Sequence, residues 1–290
     1  MPNDYYSDRV GTPRARTEET ISKRVWDAIA VEVHSRVENG AFGLSFPITC
    51  EDAPITIGCN ASAFWKVADA HLPDWRQHDG EPPPTLAILD FLEFCYERVA
   101  EPTQIGYHDF FRHHHLRFDR DLGREHFRRD VNLILARNGL AYELEASGEI
   151  KRIPPLVLRE AVRTVFSIGD AELDALLNQA VVKYLSPGLG KRRESLEKLW
   201  DAWERLKTLE NPSNKKVSVE TLFQKAIPAP ELRQVVDSDG EALTAIGNAF
   251  MIRHSEVGKV PIERSEDVDY LFHRLFALVR LLLHATGRGG

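Results

Sequence analysis

Apolar residues recur at helical spacing through the last part of the chain, and this pattern is the strongest constraint on its fold. Leu243, Ile246, Ala249 and Phe250 place one apolar stripe along a first helix. A second helix repeats the pattern with a longer stripe, formed by Val268, Leu271, Phe272, Leu275, Leu278, Val279 and Leu282. The spacing predicts a helical hairpin over residues 241–284.

Titratable residues follow the first stripe directly. Arg253 and His254 come after it, and Gly258 and Pro261 are stop signals, so we expect His254 near the C-terminal end of its helix. His273 lies on the second helix. Antiparallel packing of the two helices could place both histidines across one cleft.

Composition limits the class of protein. A hydrophobic content of 43% and a charged content of 28% are typical of a globular protein. Apolar runs fall short of the roughly 20 residues that span a bilayer, and the polar N-terminus lacks a secretory signal. The three cysteines fit a reducing compartment. We therefore expect a cytoplasmic protein without a membrane partner. The net charge of −7 argues against bulk electrostatic coating of nucleic acid.

The first half of the chain reads as several helices, 21–37, 62–70, 86–95 and 124–138, with Thr85 as the expected cap of the third. Residues 101–120 read as irregular. After Asn138-Gly139 the period changes to two over 140–153, which predicts one β-hairpin, the only convincing strand signal. A helix followed by such a hairpin could also be a winged-helix fragment.

Pro154-Pro155 marks the expected domain boundary. We predict a helical N-terminal domain with one β-hairpin over 1–153 and an all-α C-terminal domain over 154–290. The second domain is expected to contain helices at 156–167, 171–185, 191–209, 219–226 and 229–236 before the terminal hairpin. Asp170 is suited to cap the helix that starts at 171.

The terminal hairpin resembles the helical HEPN ribonucleases, which often carry an Arg-Asn pair, a short spacer, and a His followed by a small residue. Gly247-Asn248 and His254-Ser255 stand in that register. The wider frame, including residues 196–207, is similar to AbiJ-type abortive-infection proteins. Gly247 occupies the position of the family's arginine, and Arg253 is the nearest arginine. The resemblance implies an all-α HEPN-like bundle as the second domain.

The resemblance also implies metal-independent RNA cleavage, in which the ribose 2′-hydroxyl attacks the adjacent phosphate. His254 would be the acid/base, Arg253 would hold phosphate oxygens, and Asn248 would position the RNA. Glu256 and His273 would support them. No cofactor is expected. The implied partners are RNA as substrate, a second copy in a homodimer, and an antitoxin or activating phage factor.

Two further groups of residues have weaker patterns. Consecutive residues His113, His114 and His115 cannot all face one ion on regular structure, and no Cys, Asp or Glu stands clearly beside them at ligand spacing. A packed or solvated loop is therefore predicted instead of a metal site. Basic residues could contact nucleic acid, although acidic residues are interspersed among the first four: Arg112, Arg117, Arg124, Arg128, Lys191, Arg192 and Arg193.

Three functions therefore remain open. The first is a defence or toxin ribonuclease of the antiphage type. The second is a non-enzymatic regulator that binds nucleic acid through the helix and hairpin of the N-terminal half. The third is an inactive HEPN-like scaffold for dimerisation or sensing.

Overall fold

The computed structural model describes residues 5–6, 14–73, 81–155, 162, 166–250, 252 and 259–288. The chain divides into two compact units, Met1–Ile153 and Pro154–Gly290, and the division falls at the proline pair. The described residues are mostly helical, with short antiparallel strand pairs. Among them, no helix is both long enough and apolar enough to cross a membrane.

The N-terminal unit contains four helices and six strands in its described part. In chain order they are α1 (Lys23–Glu38), β1 (Pro47–Thr49), β2 (Thr56–Cys59), α2 (Ala61–His71), α3 (Thr85–Arg98), β3 (Glu101–His108), β4 (His113–Asp119), α4 (Arg120–Arg137), β5 (Tyr142–Leu144) and β6 (Ile150–Arg152). The strands form three antiparallel pairs, β1–β2, β3–β4 and β5–β6. Four predicted helices and the last hairpin are therefore confirmed.

The prediction of a single hairpin is wrong, because β1 and β2 form a second antiparallel pair and residues 101–119, which read as irregular, form a third. Glu101 pairs with Asp119 and His108 pairs with His113. The register shifts between Gln104 and Gly106, so the alternation of side chains changes phase within β3. This bulge hides the period of two in the sequence.

Apolar faces of the helices supply the core of the N-terminal unit. Val25, Trp26, Ile29 and Val33 line one face of α1, and α3 is apolar nearly all round, as its composition predicts. Thr85 is the first residue of α3 instead of its cap, and its hydroxyl accepts a hydrogen bond from the Ile21 amide at 2.9 Å. This hydrogen bond fixes the start of α3 against the residues just before α1.

In the described part of the C-terminal unit, all named elements are helices. Its helices are α5 (Ala171–Tyr184), α6 (Leu189–Leu206), α7 (Lys215–Ala226), α8 (Pro230–Ala249) and α9 (Ser265–Ala285). Asp170 caps α5 as predicted, since its carboxylate accepts from the Leu173 amide at 2.9 Å. The helix expected over 156–167 falls mostly outside the described residues.

The structure corrects the predicted bounds of the C-terminal helices. Residues 230–249 form a single helix instead of two, and this helix continues through Asp239-Gly240. Gly240 is buried beside Phe223 and Trp203, so close packing of α8 explains a glycine inside a helix. The helix ends at Ala249, before His254, whereas the sequence pattern placed His254 near the helix end.

Candidate metal centre

Three histidines share one face of the β3–β4 hairpin. His108 and His113 are cross-strand partners at the end of the hairpin. His115 lies two residues along β4 from His113, and side chains of alternate residues point to the same face of a strand. The ring centroids of the three imidazoles are 5.4 to 5.8 Å apart. His114 lies between them in sequence and instead contacts Tyr107.

A cysteine from another hairpin completes this group. Cys50 follows β1, and its amide donates to the Ile55 carbonyl at 2.9 Å, which closes the loop 50–55. The Cys50 side chain is buried, and its Sγ lies 3.4 Å from Nδ1 of His108. The fold therefore brings a thiol to the three imidazoles from far along the chain.

The four side chains have the geometry of a metal site. One donor atom from each of Cys50, His108, His113 and His115 lies within 4.8 Å of every other. Tetrahedral zinc with bonds of about 2.0–2.3 Å needs donor atoms about 3.3–3.8 Å apart. The Cys50–His108 distance already meets this requirement, and the other pairs need a closure of about 1.5 Å at most.

Two polar atoms of the group lack a hydrogen-bond partner among the described residues. Nε2 of His113 and Nε2 of His115 are buried, and neither has a hydrogen-bond partner among the described residues. A buried nitrogen without a partner is costly in a folded protein. An ion between the two rings would satisfy both atoms.

The local environment favours neutral imidazole at this position. Removal from water, together with the neighbouring His108 and His115, lowers the pKa of His113. Phe111 stacks on His113 with an interplanar angle of 6° and meets His108 edge-on. Neutral imidazole is the form that binds metal, so the surroundings prepare the ring for an ion.

The other two cysteines are not part of the group. Burial raises the pKa of Cys59 to about 11, and it raises the pKa of Cys95 well above its usual value. Both thiols therefore stay protonated and unreactive.

The sequence argument against a metal rested on two premises, and the structure changes both. Adjacent histidines do face opposite sides, but His113 and His115 are alternate residues of a strand, not parts of a packed or solvated loop. The missing cysteine, Cys50, is 58 positions from His108 in the chain. The usable signal was the His-x-His spacing followed by two alternating apolar residues, Leu116 and Phe118, on the strand without the bulge.

The predicted catalytic group lies mainly outside the described residues. Arg253, His254 and Glu256 are not described, and Asn248 is exposed on the last turn of α8. Gly247 is buried, and a Cβ atom there would lie 2.2 Å from Nε1 of Trp200. An arginine could not occupy this position without displacing the indole, so Gly247 is required by packing.

Arg192, another residue predicted to contact nucleic acid, is buried among other side chains. Its side chain is only 2% exposed, and NH1 donates to the Ser265 hydroxyl at 2.7 Å. Asp269 lies 3.9 Å from the same nitrogen and accepts from the Tyr184 hydroxyl. His273 joins this group with Nε2 at 3.5 Å from the Tyr184 oxygen. The expectation that Arg192 contacts nucleic acid is wrong because the residue is buried.

The remaining basic residues predicted to contact nucleic acid differ in their environments. Arg124 donates to the Tyr96 and Glu97 carbonyls, and Lys191 forms an ion pair with Glu194. Arg128 is half-buried. Lys191, Arg112, Arg117 and Arg193 are exposed.

Comparison of the chain with protein-family models, with curated proteins and with solved structures found no match.

Proposed function

We propose that the N-terminal unit binds one zinc ion through Cys50, His108, His113 and His115. The observation that carries this proposal is the mutual approach of four donor atoms within 4.8 Å. The buried, unpartnered Nε2 atoms of His113 and His115 support it.

The donor set indicates which metal binds. One thiolate and three imidazoles suit zinc, whereas calcium and magnesium prefer oxygen donors. Four protein donors fill a tetrahedral ion and leave no position for water. The proposed role is therefore structural, not hydrolytic.

An ion at this position would join two elements that are distant in sequence. The loop 50–55 would supply the thiolate, and the β3–β4 hairpin would supply the three imidazoles. Two-stranded hairpins are marginally stable by themselves, so a metal cross-link would hold both in register.

The test is the metal content of purified protein and its variants. We expect one zinc per chain in the parent and strongly reduced zinc in Cys50→Ser and in His115→Ala. His114→Ala is the matched control, because His114 is exposed on the same strand and lies outside the group. Cobalt substitution should show thiolate-to-metal absorption in the parent and none in Cys50→Ser.

Absence of zinc from the parent after growth and refolding with zinc would refute the proposal. Equal loss of zinc in His114→Ala and His115→Ala would do so as well, because it would indicate general damage to the hairpin.

A second proposal concerns the C-terminal unit, namely metal-independent RNA cleavage as the HEPN resemblance implies. Asn248 supports it, because its side chain is open to solvent at the end of α8. The burial of Gly247 against Trp200 instead favours the inactive scaffold. RNA should be incubated with the parent protein and with His254→Ala, both in the presence of a metal chelator. Cleavage that disappears in the variant supports catalysis, and absence of cleavage by a folded parent supports the scaffold.

A further inference from the structure

The two nitrogens of His108 face different partners. Nδ1 lies 3.4 Å from the Cys50 sulfur, inside the group of metal-binding atoms. Nε2 lies 3.6 Å from an oxygen of the Asp52 carboxylate, on the side away from that sulfur. A histidine ligand commonly gives its second N–H to a carboxylate, which fixes the tautomer and the orientation of the ring.

We infer that Asp52 is a positioning residue for the zinc site, a conclusion that rests on the proposed zinc binding. The Asp52 carboxylate oxygen stands 3.6 Å from Nε2 of His108, slightly beyond hydrogen-bond distance. When zinc binds, this carboxylate accepts a hydrogen bond from the Nε2–H of His108, and the lone pair of Nδ1 faces the ion. Asp52 does not bind the metal itself. Its effect is to raise the zinc affinity of His108.

The position of Asp52 in the chain supports this role. Asp52 lies in the closed loop 50–55, two residues after the Cys50 ligand. Once the Cys50 amide is tied to Ile55, the loop delivers the thiolate and the carboxylate to the same imidazole. The loop therefore supplies one ligand and orients another.

The neighbouring Glu51 offers a matched control. It carries the same charge in the same loop and is exposed, but among the described contacts only Asp52 lies within ion-pair distance of His108. A general effect of negative charge on a cation would appear in both variants. A positioning effect would appear only in Asp52→Ala.

The experiment measures zinc affinity by competition with a chromophoric chelator. We expect Asp52→Ala to bind one zinc with affinity lowered about 10- to 100-fold, and Glu51→Ala to bind as the parent does. Asp52→Asn should restore part of the loss, because its amide oxygen can still accept from Nε2.

Nitrogen-15 NMR of the zinc-loaded parent gives an independent measurement. We expect His108 to be bound through Nδ1 and to keep a proton on Nε2 that exchanges slowly with water. In Asp52→Ala this proton should exchange faster.

Several outcomes would overturn the inference while leaving the zinc proposal intact: unchanged affinity in Asp52→Ala, equal losses in both loop variants, or coordination through Nε2 of His108. Failure of the parent to bind zinc would instead remove the zinc proposal itself, so the two failures are distinguishable.

Discussion

Removal of zinc should lower the thermal stability of the N-terminal unit and leave the C-terminal unit unchanged. All four proposed ligands lie in Met1–Ile153, so the second unit serves as an internal control. A ligand at 100 times its dissociation constant stabilises the folded state by about 2.7 kcal/mol. For a unit of this size each kcal/mol shifts Tm by about 2–4 °C. We therefore expect a decrease of about 5–11 °C.

Differential scanning calorimetry of the intact chain, with zinc and with a chelator, measures this shift. The two transitions can be assigned with a variant of the C-terminal unit such as Gly247→Ala. A transition of the N-terminal unit that is insensitive to chelator in zinc-loaded protein would refute the reasoning. Equal shifts of both transitions would refute it too, because they would show an effect of the chelator unrelated to this site.

Three further predictions concern the C-terminal unit. Gly247→Ala should lower the free energy of unfolding of the C-terminal unit by about 1–3 kcal/mol, measured in urea, because the new Cβ meets the Trp200 ring. Nε1 of that ring donates to the Leu243 carbonyl at 3.0 Å, so the indole is held in place. Unchanged stability would contradict this packing. Arg192→Ala should cost about 3–5 kcal/mol, because it removes a buried cation that donates to Ser265 and lies 3.9 Å from Asp269. Exposed Arg193→Ala should stay within about 0.5 kcal/mol, and equal effects would argue against burial of Arg192. The hydrogen bond from the Arg205 guanidinium lowers the pKa of Asp170 in the folded protein. The stability that this pair contributes is therefore fully present above the ordinary carboxyl pKa of about 3.9 and is lost as the pH falls through the lower folded-state pKa. Asp170→Asn should keep the helix cap but remove this dependence of stability on acid pH, which thermal melts across pH would detect.

Helices were predictable because each one carries its own periodic signal. The stripe of α9, the apolar composition of α3 and the cap at Asp170 depend on residues within a few positions of one another. The predicted break in the helix between residues 236 and 241 is absent for a tertiary reason. Gly240 packs closely against Phe223 and Trp203 of neighbouring helices, and the local sequence pattern carries no information about these contacts.

The candidate metal site shows the limit of local patterns most clearly. The histidine triplet was visible in the sequence, but its interpretation required knowing that it lies on a strand with a bulged partner. Arg192 was equally visible, yet whether it faces solvent or Asp269 depends on the position of α9.

The sequence by itself determined the mostly helical character of the chain and supplied every donor atom of the proposed site. Only tertiary structure decided that Cys50 and Asp52 meet His108, because their approach depends on how two hairpins pack. Periodicity reports the burial of a residue relative to its neighbours in the chain. It carries no information about which distant loop lies against that residue.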